Sequence, residues 1–456
     1  MQPSGDPREP GATTLRGVTW ALNAELGSWD PVARVVPFLL GVVLLVIAGM
    51  SIVRTMVIPR MSVSWLFAVI VRGTDLLFSG FARLTRTYAA RDRILSWSGP
   101  VGIIAALVVW LLFFLAAYAF MMFGATQMSI TDAFLQAGSG LLTLGLIGTP
   151  GETVTILDFF AAMTGPAVIA LLIGFLPTLY QSFLTRESRV LLDTGLSGAP
   201  EWGPEFLVRV QFLQGESDLP DLFAQWTPWA AQVRLTQTLY PSLNRFRSSV
   251  GTRNWLVALV SSLDAAALHC AIRSTPPDPR TVTLLEQGGQ AILSIDAAEI
   301  ALDSLVLLRS WRRRLDATLS VFGVSERDSS HPRHPSAADV YLPKGMQAVD
   351  EAVTLDSLRG QIASTRQVLV DYEMRESTLS RADFDYAVDY IAAAGVTVDR
   401  DRDEAFEIFR RIRGRYESAA YHLAARFYFT PAPWTGPRTP ATPVMWPSLA
   451  GKIAES

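Results

Sequence analysis

Ser129-Ile130-Thr131-Asp132-Ala133-Phe134-Leu135-Gln136-Ala137-Gly138-Ser139-Gly140-Leu141-Leu142-Thr143-Leu144-Gly145-Leu146-Ile147-Gly148-Thr149-Pro150-Gly151-Glu152 is the stretch on which the fold turns. Its opening is a helix start, with Ser129 or Thr131 able to cap and Asp132 supplying an acid to the first turn. A short apolar helix is predicted from Ala133 to Leu142. Beyond it the glycines and Pro150 break any helix, yet residues 125–157 carry too little charge for a long aqueous loop. A half-helix followed by an extended, glycine-containing stretch describes a re-entrant loop. Irregular backbone survives at membrane depth only where protein buries it or where it lines a water-filled path.

The flanks support a membrane setting. A spanning helix needs about 20 mainly apolar residues. The second of three such segments begins near Gly99-Pro100 and runs to Met122, within a stretch free of charge from Arg93 to Asp132. The third lies between Asp158 and Arg186, from about Phe159 to Leu184. The first, residues 35–53, lies between Arg34 and Arg54 and contains no charge, with Pro37 expected in its first turn. Hydrophobic residues make up 50% of the chain and charged ones 18%, and the charge deficit is concentrated in residues 35–185.

Arginines orient these spans. The segment between the first two carries Arg54, Arg60, Arg72, Arg83, Arg86, Arg91 and Arg93 against Asp75 and Asp92. The connection between the second and third has no Lys or Arg, and Arg186 and Arg189 follow the third. The positive-inside rule puts residues 54–98 and everything after 186 in the cytoplasm, and residues 1–34 outside. The chain's start lacks the basic residues and short apolar run of a signal peptide and is expected to be retained. Residues 61–88 are apolar but interrupted by Arg72, Asp75, Arg83 and Arg86. They read as an amphipathic helix in the cytoplasmic interface, its arginines reaching the headgroups. The alternative, a fourth span, requires Arg72 and Asp75 to be buried and paired.

Outer helix, short pore helix, Thr143-Leu144-Gly145 and inner helix together resemble the pore domain of potassium channels, whose filter reads Thr-Val-Gly-Tyr-Gly. The resemblance covers residues 99–185. It implies that residues 143–148 (Thr143, Leu144, Gly145, Leu146, Ile147 and Gly148) form a selectivity filter, with Thr143 offering the innermost oxygens. One loop per chain cannot enclose an axis, so it also implies a homotetramer. Leu146 stands where the family has an aromatic, Ile147 where it has its second glycine, and Gly148 comes one residue late. The acid that follows the family's filter is missing, and Glu152 is the nearest candidate. A row of carbonyls facing one axis relies on glycine's freedom in φ, so these departures shorten or distort the ladder and leave K+ and Na+ both open as the permeant cation. A cation is favoured by the negative C-terminal end of the pore helix and by Asp132, Glu152 and Asp158 at the outer mouth. Gly165, Gly174 and Pro177 are the features that bend or gate the inner helix. Phe175, Leu179 and Phe183, four apart, form either a constriction or a packing face.

From 186 onward the periodicity is helical and no strand is convincing. A cytoplasmic helical domain is expected over 186–324, with helices at 227–240, 254–273, 281–295 and 297–318. A linker follows at 325–345, then C-terminal helices over 346–429 (about 346–373, 381–394 and 402–428), and a proline-rich tail at 430–456. No Walker loop, dinucleotide fingerprint or nucleophile elbow is present, so no enzyme activity, cofactor or metal is expected. His331 and His334 belong to the linker. His269 and Cys270 read as core residues. Trp202, Trp226, Trp229, Trp255 and Trp311 read as packing aromatics, a ligand pocket being the alternative. The net charge of −3 argues against nucleic acid. Lys344 and Lys452 are the two lysines against many arginines, as in a GC-rich genome.

The sequence thus predicts an all-α membrane protein of three transmembrane helices plus a re-entrant pore loop, followed by a helical cytoplasmic domain. It would be a multi-pass protein of a bacterial cell membrane, in contact with lipid, its C-terminus in the cytoplasm. The expected function is a tetrameric cation channel gated by the helical domain. A non-conducting receptor or scaffold that retains the pore-like shape is the competing reading.

Overall fold

The computed structural model describes residues 31–58, 64–85, 87–126, 128–143, 152–197, 201–248, 253–305, 377 and 379–429. Among them every regular element is helical and none is a strand. We number the α-helices α1 Pro31–Ile52, α2 Trp65–Arg83, α3 Tyr88–Leu95, α4 Ser98–Ala125, α5 Ile130–Leu141 and α6 Glu152–Ser197. After them come α7 Gly203–Leu213, α8 Leu219–Leu239, α9 Trp255–Ile272, α10 Pro279–Leu305, α11 Arg381–Ala393 and α12 Arg402–Phe427. Five helices among the described residues are long and apolar enough to cross a membrane, namely α1, α2, α4, α6 and α9. The chain divides into two compact units, Met1–Ile70 with Ile103–Pro177, and Val71–Gly102 with Thr178–Ser456.

Unit one is built on α1 and α4, which pack antiparallel because each offers a glycine to the other. A Cβ on Gly41 would lie 2.5 Å from the Ala117 carbonyl oxygen, and one on Gly124 would lie 2.6 Å from the Phe38 nitrogen. Arg34 closes one end of the pair by donating to the Thr126 carbonyl. Lower down, the buried Trp110 donates its Nε1–H to Ser51 Oγ at 3.0 Å, and Ser64 joins the same hydroxyl at 2.9 Å. Phe67 stacks on Trp110 with centroids 6.1 Å apart. The first helix starts at Pro31, where a proline costs no hydrogen bond, so Pro37 lies inside the helix and not in its first turn.

Unit two is an all-helical core. Its α9 is apolar all round and 89% of its apolar window is buried, the mark of a central core helix. Asn254 caps it, accepting from the Leu256 and Val257 amides at 3.1 and 3.0 Å. Phe206 of α7, Trp226 of α8, Leu263 of α9, Ile292 of α10, Phe384 of α11 and Phe409 of α12 share one hydrophobic cluster. The segments that the sequence separates by a linker therefore pack together, because α12 presents Ala405, Phe409, Tyr416, Leu423 and Phe427 along one buried face. α8 runs unbroken through Pro228 and extends the helix expected at 227–240 back to Leu219. The predicted helices beyond 305 and at 346–373, the linker 325–345 and the tail 430–456 lie outside the described residues, as do Trp311, His331, His334 and residues 1–30.

Arg72 departs from the expected reach toward headgroups. It is only 3% exposed. Its guanidinium meets Asp75 at 3.3 Å, Glu299 at 2.9 Å and Asp303 at 2.8 Å, all within unit two. Three carboxylates surround the cation, in a buried site where each charged contact is little screened.

Candidate functional site

The candidate pore element is α5 with the residue after it. Ser129 caps the helix, its Oγ accepting from the Asp132 amide at 3.1 Å and donating to Asp132 Oδ2 at 2.7 Å. Asp132 thus bonds to the capping Ser129 hydroxyl while remaining exposed. The helix holds 12 residues, or roughly 18 Å at 1.5 Å per residue, too short for a hydrocarbon core of about 30 Å. One face carries Ala133, Gln136, Ala137, Ser139 and Leu141, all buried.

That face rests on α6 through two glycines. A Cβ on Gly165 would overlap the Leu141 carbonyl oxygen, so the last turn of α5 lies directly on the backbone of α6. Two turns earlier on α6, Asp158 Oδ1 would lie 2.9 Å from a Cβ on Gly140. Gln136 donates its amide to Asp158 Oδ2. Asp158 therefore bonds to α5, and sequence reading gave Gln136 no role. Its signal was available: it is a lone amide within the predicted short apolar helix, and polar side chains at membrane depth are seldom idle. Asp158 Oδ1 and Gln136 Oε1 have no hydrogen-bond partner.

Thr143 follows the helix in a left-handed conformation, φ 54°. Its amide donates to the Gly140 carbonyl at 2.9 Å and its hydroxyl to the Leu142 carbonyl at 2.7 Å. Left-handed backbone ends helices often, but with glycine. A β-branched residue there is strained by about 1–2 kcal/mol, and strain of this kind collects at functional turns. Leu144, Gly145, Leu146, Ile147 and Gly148 lie outside the described residues. Glu152 opens α6 and is exposed.

α6 is a single helix of 46 residues that runs through Pro166 and Pro177. The two prolines withhold the donors that would meet the carbonyls of Ala162 and Ile173. Gly165 has a packing role, whereas Gly174 has open space around it and Pro177 is exposed. Between Ile169 and Thr178 only Leu172 and Phe175, which share one face, are partly covered, and the other faces of the helix are bare there. Leu179 is buried in unit two, and the Phe183 ring lies 5.8 Å from Phe246.

In unit two the tryptophans are core residues: Trp202, Trp226, Trp229 and Trp255 are all buried, and Trp226 meets Trp229 edge-on at 5.1 Å. His269 lies 3.4 Å from Glu216, and burial lowers its imidazole below the ordinary value despite that carboxylate. Burial pushes the Cys270 thiol up to about 11, which leaves it unreactive. Among the described residues no group of three or more His, Cys, Asp or Glu side chains is arranged to hold a metal. Glu299 is a buried carboxylate of the same unit, held by two guanidinium groups. Burial alone would raise its carboxyl, and the charges of Arg245 and Arg72 outweigh burial, bringing it down to about 2. No protein-family model, no curated protein and no solved structure matches the chain.

Proposed function

We propose that the chain is one subunit of a tetrameric cation channel in which residues 143–148 line the ion path. The single observation that carries this reading is α5: a capped helix too short to span, buried on one face against α6 and ending in a strained left-handed Thr143. In the proposal α1, α4 and α6 cross the membrane. α9 is apolar enough, but it is the centre of unit two. α2 carries Arg72 and Asp75 into ion pairs with that unit. The bare stretch of α6 from Ile169 to Thr178 supports an assembly around an axis, because a lining helix has one face on the path and the others on its neighbours and lipid. The C-terminal end of α5 directs partial negative charge toward that axis and favours a cation. The helical unit is the gating domain, in the cytoplasm of a bacterial cell. K+ and Na+ are the candidate permeant ions.

The test is flux from liposomes containing the purified protein, with K+ and Na+ gradients compared. Potassium flux well above sodium means that the altered filter still forms dehydrating sites, and equal fluxes mean a non-selective cation pore. Gly145→Val is expected to abolish flux while leaving assembly intact. Flux that survives this change removes the loop from the path. A wild-type protein that is monomeric in mild detergent and passes neither ion is a receptor or scaffold instead.

A further inference from the structure

Three helices, α2, α4 and α6, each contribute residues to both units. Within unit two all three meet one short segment, the 3-10 turn Pro241–Arg245 and the two residues after it. Asp75 of α2 takes Arg245 Nε at 2.8 Å. At the start of α4, a Cβ on Gly99 would fall 2.8 Å from the Phe246 ring. α6 is held most firmly: Arg186, buried, donates to the carbonyls of Leu243 at 3.1 Å and Phe246 at 2.7 Å. Carbonyls of one turn stand at fixed positions, so the planar guanidinium fork sets both the height and the rotation of α6 against the turn. α8 holds the same residue from the other side, Trp229 Nε1 donating to the Arg186 carbonyl at 3.2 Å.

The turn is held equally by the helical core. Asn244 donates to Glu299 Oε1 of α10 at 3.0 Å, and Arg247 bonds both Asp92 of α3 and the Phe427 carbonyl at the end of α12. A segment with this many obligations cannot shift against one helix without breaking bonds to another. We infer that residues 241–247 are a transmission junction, through which displacement of α10 or α12 moves the Arg186 end of α6. The mechanical link stands on unit two alone; its consequence for ion flow rests on the channel reading.

Amide hydrogen exchange of the full-length protein in detergent micelles tests the link. Asn244→Ala removes the bond to Glu299 of α10 and leaves in place both carbonyls that Arg186 of α6 grips. It is expected to speed exchange over residues 180–192 by about tenfold, the scale of a local opening, with residues 104–122 unchanged. Unchanged exchange over 180–192 overturns the junction. Coupling is reciprocal, so Arg186→Lys, which keeps the charge but loses the fork, must speed exchange over 294–302. If Asn244→Ala does not fold, this second variant decides alone, and unchanged exchange over 294–302 overturns the inference. Liposome flux separates the two readings: a wild type that conducts with Asn244→Ala altering its flux supports both. Absence of flux from wild type counts against the channel, and the exchange result still decides the junction.

Discussion

Glu299→Gln should remove about 3 kcal/mol from unit two, and the site shows why. Glu299 is 1% exposed. Its Oε2 lies 2.9 Å from Arg72 Nη2 and 3.1 Å from Arg245 Nη2, and Oε1 takes Arg245 Nη1 at 3.2 Å and Asn244 at 3.0 Å. Arg426 stands 3.9 Å away, and Asp75 and Asp303 complete the cluster. Three guanidinium groups face three carboxylates, so the amide leaves one buried cation uncompensated. Breaking a buried pair by removing one partner costs about 3–5 kcal/mol. The carboxyl's own displacement gives a similar figure: from an ordinary 4.5 to about 2 is worth roughly 3 kcal/mol. At about 2–4 °C per kcal/mol for a unit of this size, the melting temperature should fall by about 10 °C. Tryptophan fluorescence of the full chain in detergent reads it, since Trp226, Trp229 and Trp255 are buried in unit two. Glu286→Gln is the control: its carboxylate is more than half exposed and 3.9 Å from Arg415, and its loss should shift the transition by about 1 °C at most. The sign in pH follows from a depressed carboxyl: its stabilisation is full above about 4.5 and is lost as pH falls toward about 2. Wild type should therefore lose its advantage over Glu299→Gln across that window. A drop below about 3 °C at neutral pH, or a gap that does not close in acid, refutes the reasoning.

Gly165→Ala should disrupt unit one, because the added Cβ overlaps the Leu141 carbonyl and overpacking costs about 1–3 kcal/mol or more; Gly174→Ala, in open space, should be neutral or stabilising by up to about 1 kcal/mol, and detergent melting curves compare the two. Gln136→Leu leaves Asp158 without its amide donor and should destabilise by about 1–3 kcal/mol; in a double-mutant cycle with Asp158→Leu the two effects should fall short of additivity. For His422, burial lowers the imidazole, but the bond to Asp296 with the charges of Asp303 and Glu299 outweighs it, so the value is raised above the ordinary 6.5. A raised value means stabilisation that is complete below about 6.5 and lost as pH climbs through the raised value; melting temperatures of His422→Gln should show a flatter dependence over that range.

Local features were legible in the sequence because their causes are local. The Ser129 cap, the helix over 381–394 (Arg381–Ala393) and that over 402–428 (Arg402–Phe427) depend on neighbours within one or two turns. Where reading stopped short, the cause lies in pairing across the chain. Arg72 and Glu299 are 227 residues apart and Gln136 and Asp158 are 22 apart, and a single sequence contains no record of who faces whom. Proline misled in one direction: Pro37 and Pro228 sit inside continuous helices, each withholding one backbone donor without ending the helix. The packing role of a glycine is equally invisible from sequence. Gly165 attracted attention as a hinge, and its geometry shows that two backbones touch there.

Composition cannot distinguish a membrane span from a buried core helix, because both must be apolar on every face; coverage can. Only 17% of the apolar window of α6 is covered by its own chain, against 89% for α9. A helix already enclosed by α7, α10 and α12 gains nothing from lipid, whereas the bare faces of α6 must be covered by lipid or by other copies. Charge supplies the second criterion. α2 is apolar enough to cross, but a span would have to keep Arg72 and Asp75 in hydrocarbon at a cost of several kcal/mol. In unit two these charges have Glu299, Asp303 and Arg245 as partners. The same cluster that, in the proposal, argues against α2 as a crossing also ties it to the turn that grips Arg186. The choice of spans and the proposed route of gating therefore rest on one set of buried ion pairs, and Glu299→Gln weakens both at once.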